Sequence, residues 1–168
     1  MKILQWILGI VFGLLILIGL VIFGARFADG PVVMLPGGPF ESGEMRASPE
    51  DWGFAAAIEE IEFESGGRSR TAWIVVDGGD AFIPASTAFP PGKRWHKDAL
   101  VDPAAVVRID GVRYPVALTR VAPESPRFTE VLSKLAEKYP ALPGSEEGDP
   151  AEAAWLFELR ERAMQLSD

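Results

Sequence analysis

The chain has 168 residues and a formal net charge of -8, from 16 basic and 24 acidic side chains. Such a surface repels nucleic acid and bare anionic lipid, so neither is expected as a partner. Cysteine is absent and histidine occurs once, which excludes Cys/His zinc sites and thiol catalysis and permits an oxidising compartment.

The length fits one domain of roughly 100–150 residues with a short appendage. The appendage comes first. Ile3 to Ala25 is 23 residues without a charge. As a helix it rises roughly 34 Å, enough for a hydrocarbon core of about 30 Å. It is longer than a secretory signal's apolar region, and no small-x-small cleavage site follows, because Phe23 and Arg26 occupy the positions two before Ala25 and Ala28. A retained single-pass anchor is expected. Lys2 and the terminal amine outweigh Arg26, which is followed closely by Asp29, so the N-terminus is placed inside and the domain outside, periplasmic in a bacterium. Gly9 and Gly13 have the spacing that lets two helices approach closely, but glycine is common in membrane helices and that plainer reading is preferred. These readings divide the chain into an anchor (1–28), a linker or extended arm rich in Pro and Gly (29–47) and a folded domain (48–168).

Ser48-Pro49-Glu50-Asp51 carries a cap, a first-turn proline and acids for the positive end of a helix dipole, so a helix of about two turns is expected through Trp52, Phe54, Ala55 and Ile58. Glu60-Ile61-Glu62-Phe63-Glu64 alternates, which predicts a strand with Ile61 and Phe63 inward. Its carboxylates read as a solvated face rather than an acid/base pair. Gly66-Gly67 turns the chain, and Arg70 to Val76 ends in a continuous apolar run that suits a central strand covered on both faces. Asp77-Gly78-Gly79-Asp80 is a hairpin turn, with the returning strand over Ala81 to Ala85.

Residues 86–92 form a loop and Lys93 to Leu100 a short helix, stopped by Asp102-Pro103. Val106 to Ile109 and Val112 to Val121 pair across the tight turn Asp110-Gly111, with Pro115 requiring an edge or a bulge. Arg127 to Tyr139 is an amphipathic helix with Phe128, Val131, Leu132, Leu135 and Tyr139 on one side. Pro140 to Asp149 is a loop. Asp149-Pro150 and the residues after it suit a helix start, whereas the alternation of Trp155, Phe157 and Leu159 suits a strand. The elements together imply an α+β, mainly antiparallel domain: a small closed or half-open barrel with helices packed on it.

Arg70-Thr71, a strand, a Gly turn, a strand ending Pro84-Ala85-Ser86, a loop, Arg94-Trp95-His96-Lys97-Asp98-Ala99-Leu100, Asp102-Pro103 and a Val-rich hairpin follow one another in that order. Over about residues 59–140 this order resembles the deazaflavin-dependent nitroreductase family, within the wider group of flavin-binding split barrels that includes pyridoxamine-phosphate oxidases. The resemblance implies a split β-barrel closed by a C-terminal strand at Trp155 to Leu159. It also implies a cofactor, FMN or a deazaflavin, whose phosphate and ring would be held by Arg70, Thr71, Ser86, Thr87, Lys93, Arg94, Trp95 and His96. The family usually has Lys after the strand-end Ser, a Gly-rich loop, and Asn before Leu in its helix. Here Thr87, Phe89-Pro90-Pro91 and Asp98-Ala99 stand at those places.

Read physically, the cations of Lys93 to Lys97, with Arg68 and Arg70, form a positive patch in an acidic protein, suited to an anion or to a solvated helix face. Trp95 suits the core better than ring stacking, and His96 lacks an identified partner for proton transfer. No phosphate-binding glycine motif, nucleophile elbow or metal-ligand set is present. The expected function is nitroreductase-like hydride transfer to a small electrophile by a membrane-anchored flavin- or deazaflavin-binding oxidoreductase. The alternative is a non-catalytic binding or scaffolding barrel, without cofactor, its pocket filled by side chains such as Phe89. The resemblance also implies a homodimer.

Overall fold

The computed structural model describes residues 2–33, 35–87, 90, 92–140 and 154–162. Eight strands make one sheet: β1 Glu44–Met45, β2 Glu60–Ser65, β3 Arg68–Trp73, β4 Val75–Asp77, β5 Asp80–Ser86, β6 Ala104–Ile109, β7 Val112–Arg120 and β8 Ala154–Glu161. The helices are α1 Lys2–Ala25, α2 Trp95–Asp98 and α3 Pro126–Lys138, with a 3-10 turn at Gly53–Ala55. The glycine turns form the hairpins β2–β3, β4–β5 and β6–β7. At the last, Asp110 (φ 49°) and Gly111 (φ 77°) both adopt the left-handed backbone that a two-residue hairpin needs.

The sheet order β3-β2-β6-β7-β8-β5-β4 puts β3 and β4 at opposite edges. Only Ile74 separates those strands in the chain, so the sheet has to roll until its edges meet. The result is a split barrel, antiparallel except where β1 lies parallel on β7. Phe63, Ala81, Ile83, Val107, Val116, Leu118, Phe157 and Leu159 fill its interior. A second apolar layer lies outside, where Phe128, Val131 and Leu135 of α3 cover Val75, Phe82 and Leu156. Ser125 caps α3 by accepting from Phe128 N at 3.2 Å, and Arg127 and Lys134 tie the helix to Asp77 in the β4–β5 hairpin.

Ile61 and Phe63 face inward as expected, α3 has the expected apolar side, and Trp155 to Leu159 is strand. Three expectations are corrected. Ser48 does not cap a helix; its hydroxyl donates to Pro115 O, and the following segment makes only the 3-10 turn. The apolar run from Arg70 to Val76 is not one central strand but two edge strands, broken where the barrel closes. Pro115 sits in the interior strand β7, without a bulge, facing Val106 of β6. Its other side lies in the gap between the β1 partners (Val112, Arg113) and the β8 partners (Val116 to Arg120), so its missing N–H leaves no ladder bond broken. The expected loop over Pro140 to Asp149 and the alternative helix start at Asp149-Pro150 lie outside the described residues after Pro140.

The arm before β1 is docked on the barrel wall. Arg108 of β6, 8% exposed, donates to Asp29 Oδ1 (2.8 Å), Asp29 O (3.1 Å) and Glu62 Oε2 (2.5 Å), and its guanidinium lies 4.2 Å from the Phe40 ring centroid. Gly37 N donates to Ser69 O of β3 (3.0 Å) and Ser69 N donates to Gly38 O (3.2 Å), and a Cβ on Gly37 would stand 1.7 Å from Gly30 O.

The seam has its own fastening. The Tyr139 hydroxyl accepts from Ile74 N (3.3 Å) and lies within donating reach of the carbonyls of Ile74 (2.9 Å) and Glu59. Lys138 Nζ donates to Ile58 O (2.6 Å) and Ile74 O (2.9 Å). Tyr139→Phe keeps the stacking of that ring on Trp73 (5.1 Å) but leaves Ile74 N–H unpaired. It is expected to lower stability by about 1 kcal/mol, read as a fall in the urea midpoint of the full chain; an unchanged midpoint would refute the fastening role.

Candidate anion-binding mouth of the barrel

Successive residues of a strand face opposite sides. On β3 this puts Arg70 inside the barrel, opposite Phe63 of β2, and Thr71 outside. Arg70 meets α2 there: its guanidinium lies 5.5 Å from the ring centroids of both Phe63 and Trp95. Trp95, 8% exposed, packs on Phe63 (5.0 Å) and Phe157 (5.5 Å) and plugs this end of the barrel. The 3-10 turn, through Trp52 against Tyr114, covers the interior near the β4–β5 and β6–β7 turns. His96 follows Trp95 into the interior and meets the Trp155 ring edge-on at 5.0 Å.

Among the described residues, Arg68, Arg70 and Lys93 bring positive charge together at this mouth, with Asp98 and Glu64 opposing. Arg70 Nη2 donates to Arg68 O at 3.2 Å, whereas Nη1 is buried and has no hydrogen-bond partner among the described residues. Burial, and then the charge of Arg68, pull its pKa down to about 10, with Asp98 and Glu64 opposing. Burial and the charge of Arg70 lower the pKa of Lys93. Arg94 and Lys97 are exposed at either end of the α2 turn. An anion entering this mouth would find a guanidinium edge with an unused donor and neighbouring ammonium charge.

The eight residues named from the sequence divide accordingly. Arg70, Lys93, Trp95 and His96 come together, with Arg94 at the rim. Ser86 lies opposite Ala154, next to Trp155, so the end of β5 arrives at the same mouth, with Thr87 exposed just beyond. Thr71 does not join them; its hydroxyl donates to Val33 O of the arm at 3.4 Å. Phe89 lies outside the described residues. Two residues at the mouth escaped the sequence reading: Trp155, assigned only to a strand, and Arg120, whose guanidinium lies 3.9 Å from the Trp155 ring centroid. Only the β7–β8 register, Arg120 opposite Phe157, brings them together. A recess of about 380 Å³ lined by Val75, Val76, Lys134 and Lys138 lies beside the seam and includes none of the eight.

No family model and no curated protein matches the chain. Several solved structures are similar to it in part. One is HutZ, the heme storage protein from Vibrio cholerae, with TM-score 0.45 and 13% identity, covering 66% of this chain and 87% of that one. Another is a putative pyridoxamine 5'-phosphate oxidase from Listeria innocua, with TM-score 0.43 and 11% identity, covering 62% and 85%.

His96 is 2% exposed, and its Nδ1 has no hydrogen-bond partner among the described residues. Burial first, then the charges of Lys93 and Lys97, lower its pKa, against Asp98. The folded protein therefore refuses a proton that the unfolded chain accepts below about pH 6.5. Stability from this group is full above that pH and falls as the medium is acidified through the window beneath it. The Cε1 proton resonance of this single histidine is expected to titrate with a midpoint below the usual value, and His96→Phe should flatten the corresponding part of the stability profile. A normal midpoint would contradict the buried neutral imidazole.

Proposed function

We propose that the chain is a membrane-anchored split-barrel module that binds a phosphorylated ring cofactor, FMN or a deazaflavin, at the Arg70 mouth. The observation carrying this reading is the buried Nη1 of Arg70 beside Lys93, which has no hydrogen-bond partner among the described residues. A buried cationic donor without a partner is costly, and an anionic ligand would remove the cost. The cations present fit the phosphate: Arg70 and Lys93 within and Arg94 at the rim, with Thr87 exposed beyond the end of β5, whereas Ser86 follows the inward Ala85 and turns to the outer side. When bound, the cofactor supplies hydride chemistry, and nitroreductase-like transfer to a small electrophile is the enzymatic form of the proposal. The chain's own part is to neutralise the phosphate, hold it at the barrel end and exclude water with Trp95. The apolar helix α1 would keep the module at the membrane, with the barrel on the extracytoplasmic side.

A second reading, a barrel that binds or scaffolds without cofactor, draws on a different observation: Trp95 already has Phe63, Phe157 and Arg70 on its ring, so it offers no free face for stacking. Titration of the full chain with FMN and with a deazaflavin, followed by ligand fluorescence, separates the two. Binding tighter than about millimolar is expected. Arg70→Met should weaken it by about tenfold or more, as loss of a charge-assisted hydrogen bond requires. The same variant should unfold at equal or higher denaturant, because it replaces a half-buried guanidinium with one buried nitrogen unsatisfied among the described residues by an apolar chain of similar length. Absence of binding would leave the scaffold reading, and undiminished binding by Arg70→Met would remove the mouth as the site.

A further inference from the structure

The apolar surface of α1 does not stop at its last helical residue. The chain leaves Ala25 in a tight turn, with Phe27 N donating to Gly24 O at 3.0 Å, and the Phe27 ring packs edge-on against Phe23 of the helix at 5.4 Å. Phe27 is nonetheless 75% exposed. The arm then makes a small hairpin in which Val32 and Leu35 exchange backbone hydrogen bonds of 3.0 and 2.9 Å. Val33, beyond Val32 in this turn, is 86% exposed and has φ 58°. A β-branched residue in the left-handed region is strained, and glycine or asparagine would ordinarily stand in such a turn exposed to water.

Charge is withheld from the same stretch. From Gly30 to Phe40 the sequence has no ionisable side chain. Asp29, just before it, is occupied: its carboxylate accepts from Arg108, from Glu41 N at 2.9 Å and from Ser42. These bonds, Ser42 first, hold its pKa well below the usual carboxylate range. The turn is also fixed to the barrel, because Thr71 donates to Val33 O. An uncharged stretch with exposed apolar side chains at Val32 and Val33 thus begins within eight residues of the end of α1.

We propose that this turn is a second membrane contact: Phe27, Val32 and Val33 sit in the interfacial layer of the bilayer that α1 crosses, and seat the barrel on the membrane through the wall formed by β3, β2 and β6. The inference rests on reading α1 as a membrane span. The occupant is a lipid bilayer because the patch continues the helix surface and lies where a spanning helix would emerge. Thr71 then has a structural task, holding the seating turn.

The chain has no cysteine, so single labels can be introduced cleanly. Full-length protein would be reconstituted in zwitterionic phosphatidylcholine vesicles with an environment-sensitive fluorophore on Leu14→Cys, Val33→Cys or Glu130→Cys, the last on α3 at the opposite wall. Nitroxide lipids should quench the Leu14 and Val33 labels, the Val33 label most strongly when the nitroxide is shallow. Aqueous iodide should quench the Glu130 label, and the emission at Val33 should be blue-shifted from that at Glu130. If the Val33 label behaves like the Glu130 label while Leu14 is in lipid, the second contact is overturned and the anchor stands. If Leu14 is also open to iodide, both fall.

Discussion

The fold depends on one short connection. Ile74 alone joins the strands at the two edges of the sheet, so no flat or open arrangement satisfies the chain. Rolling the sheet creates an interior, and it also leaves backbone groups at the seam without ladder partners. Tyr139 and Lys138, at the end of α3, supply those partners. The helix therefore does two things at once. Its apolar side buries the outer face of β4, β5 and β8, and its last residues close the seam. Asp77, gripped by Arg127 and Lys134, fixes the helix over the hairpin that begins just after the seam.

Two arginines on the walls of this barrel show how environment decides what a cation does. Arg108 faces outward on β6 and has Asp29, Glu62 and the Phe40 ring around it. Hydrogen bonding to Glu62 leads the effects that raise its pKa, against burial. Removing a partner from such a group would strand a charge, so Arg108 is structural: it locks the arm to the wall. Arg70 faces inward on β3 with aromatic rings on it and an unused donor, and burial lowers its pKa. Among the described residues, the guanidinium is fully occupied at one place and keeps an unpaired Nη1 at the other. The difference lies in which face the strand turns to it.

Much of this was legible from local periodicity. Ile61 and Phe63 alternate with three glutamates, and the apolar side of α3 recurs at helical spacing, so each element declares its own buried face. What failed involved distant partners. Ser48 has the chemistry of a helix cap, but the carbonyl that claims its hydroxyl belongs to Pro115, 67 residues on. The apolar run through Ile74 reads as one strand because nothing local reveals that its middle residue crosses a seam. The candidate site was half legible for a similar reason. Cations near Trp95 were visible as a cluster, whereas Arg120 and Trp155 join it only through the register of β7 with β8. Thr71 could have been set aside from the sequence alone, since consecutive residues of a strand cannot both line one interior.

The arm connects the apolar helix α1 to the mouth mechanically. It is held to the wall by Arg108, by Gly37 on Ser69 and by Arg113, which donates to Phe40 O at 2.9 Å. β3 carries both sets of contacts on alternate residues: Ser69 and Thr71 outward to the arm, Arg70 inward to Trp95. A strand one residue thick cannot shift on one face without shifting on the other. The position of the guanidinium in the barrel mouth is thereby referred to the segment that leaves α1. An anion held at Arg70 would therefore keep a fixed position relative to the wall that carries the arm, instead of swinging on a free linker.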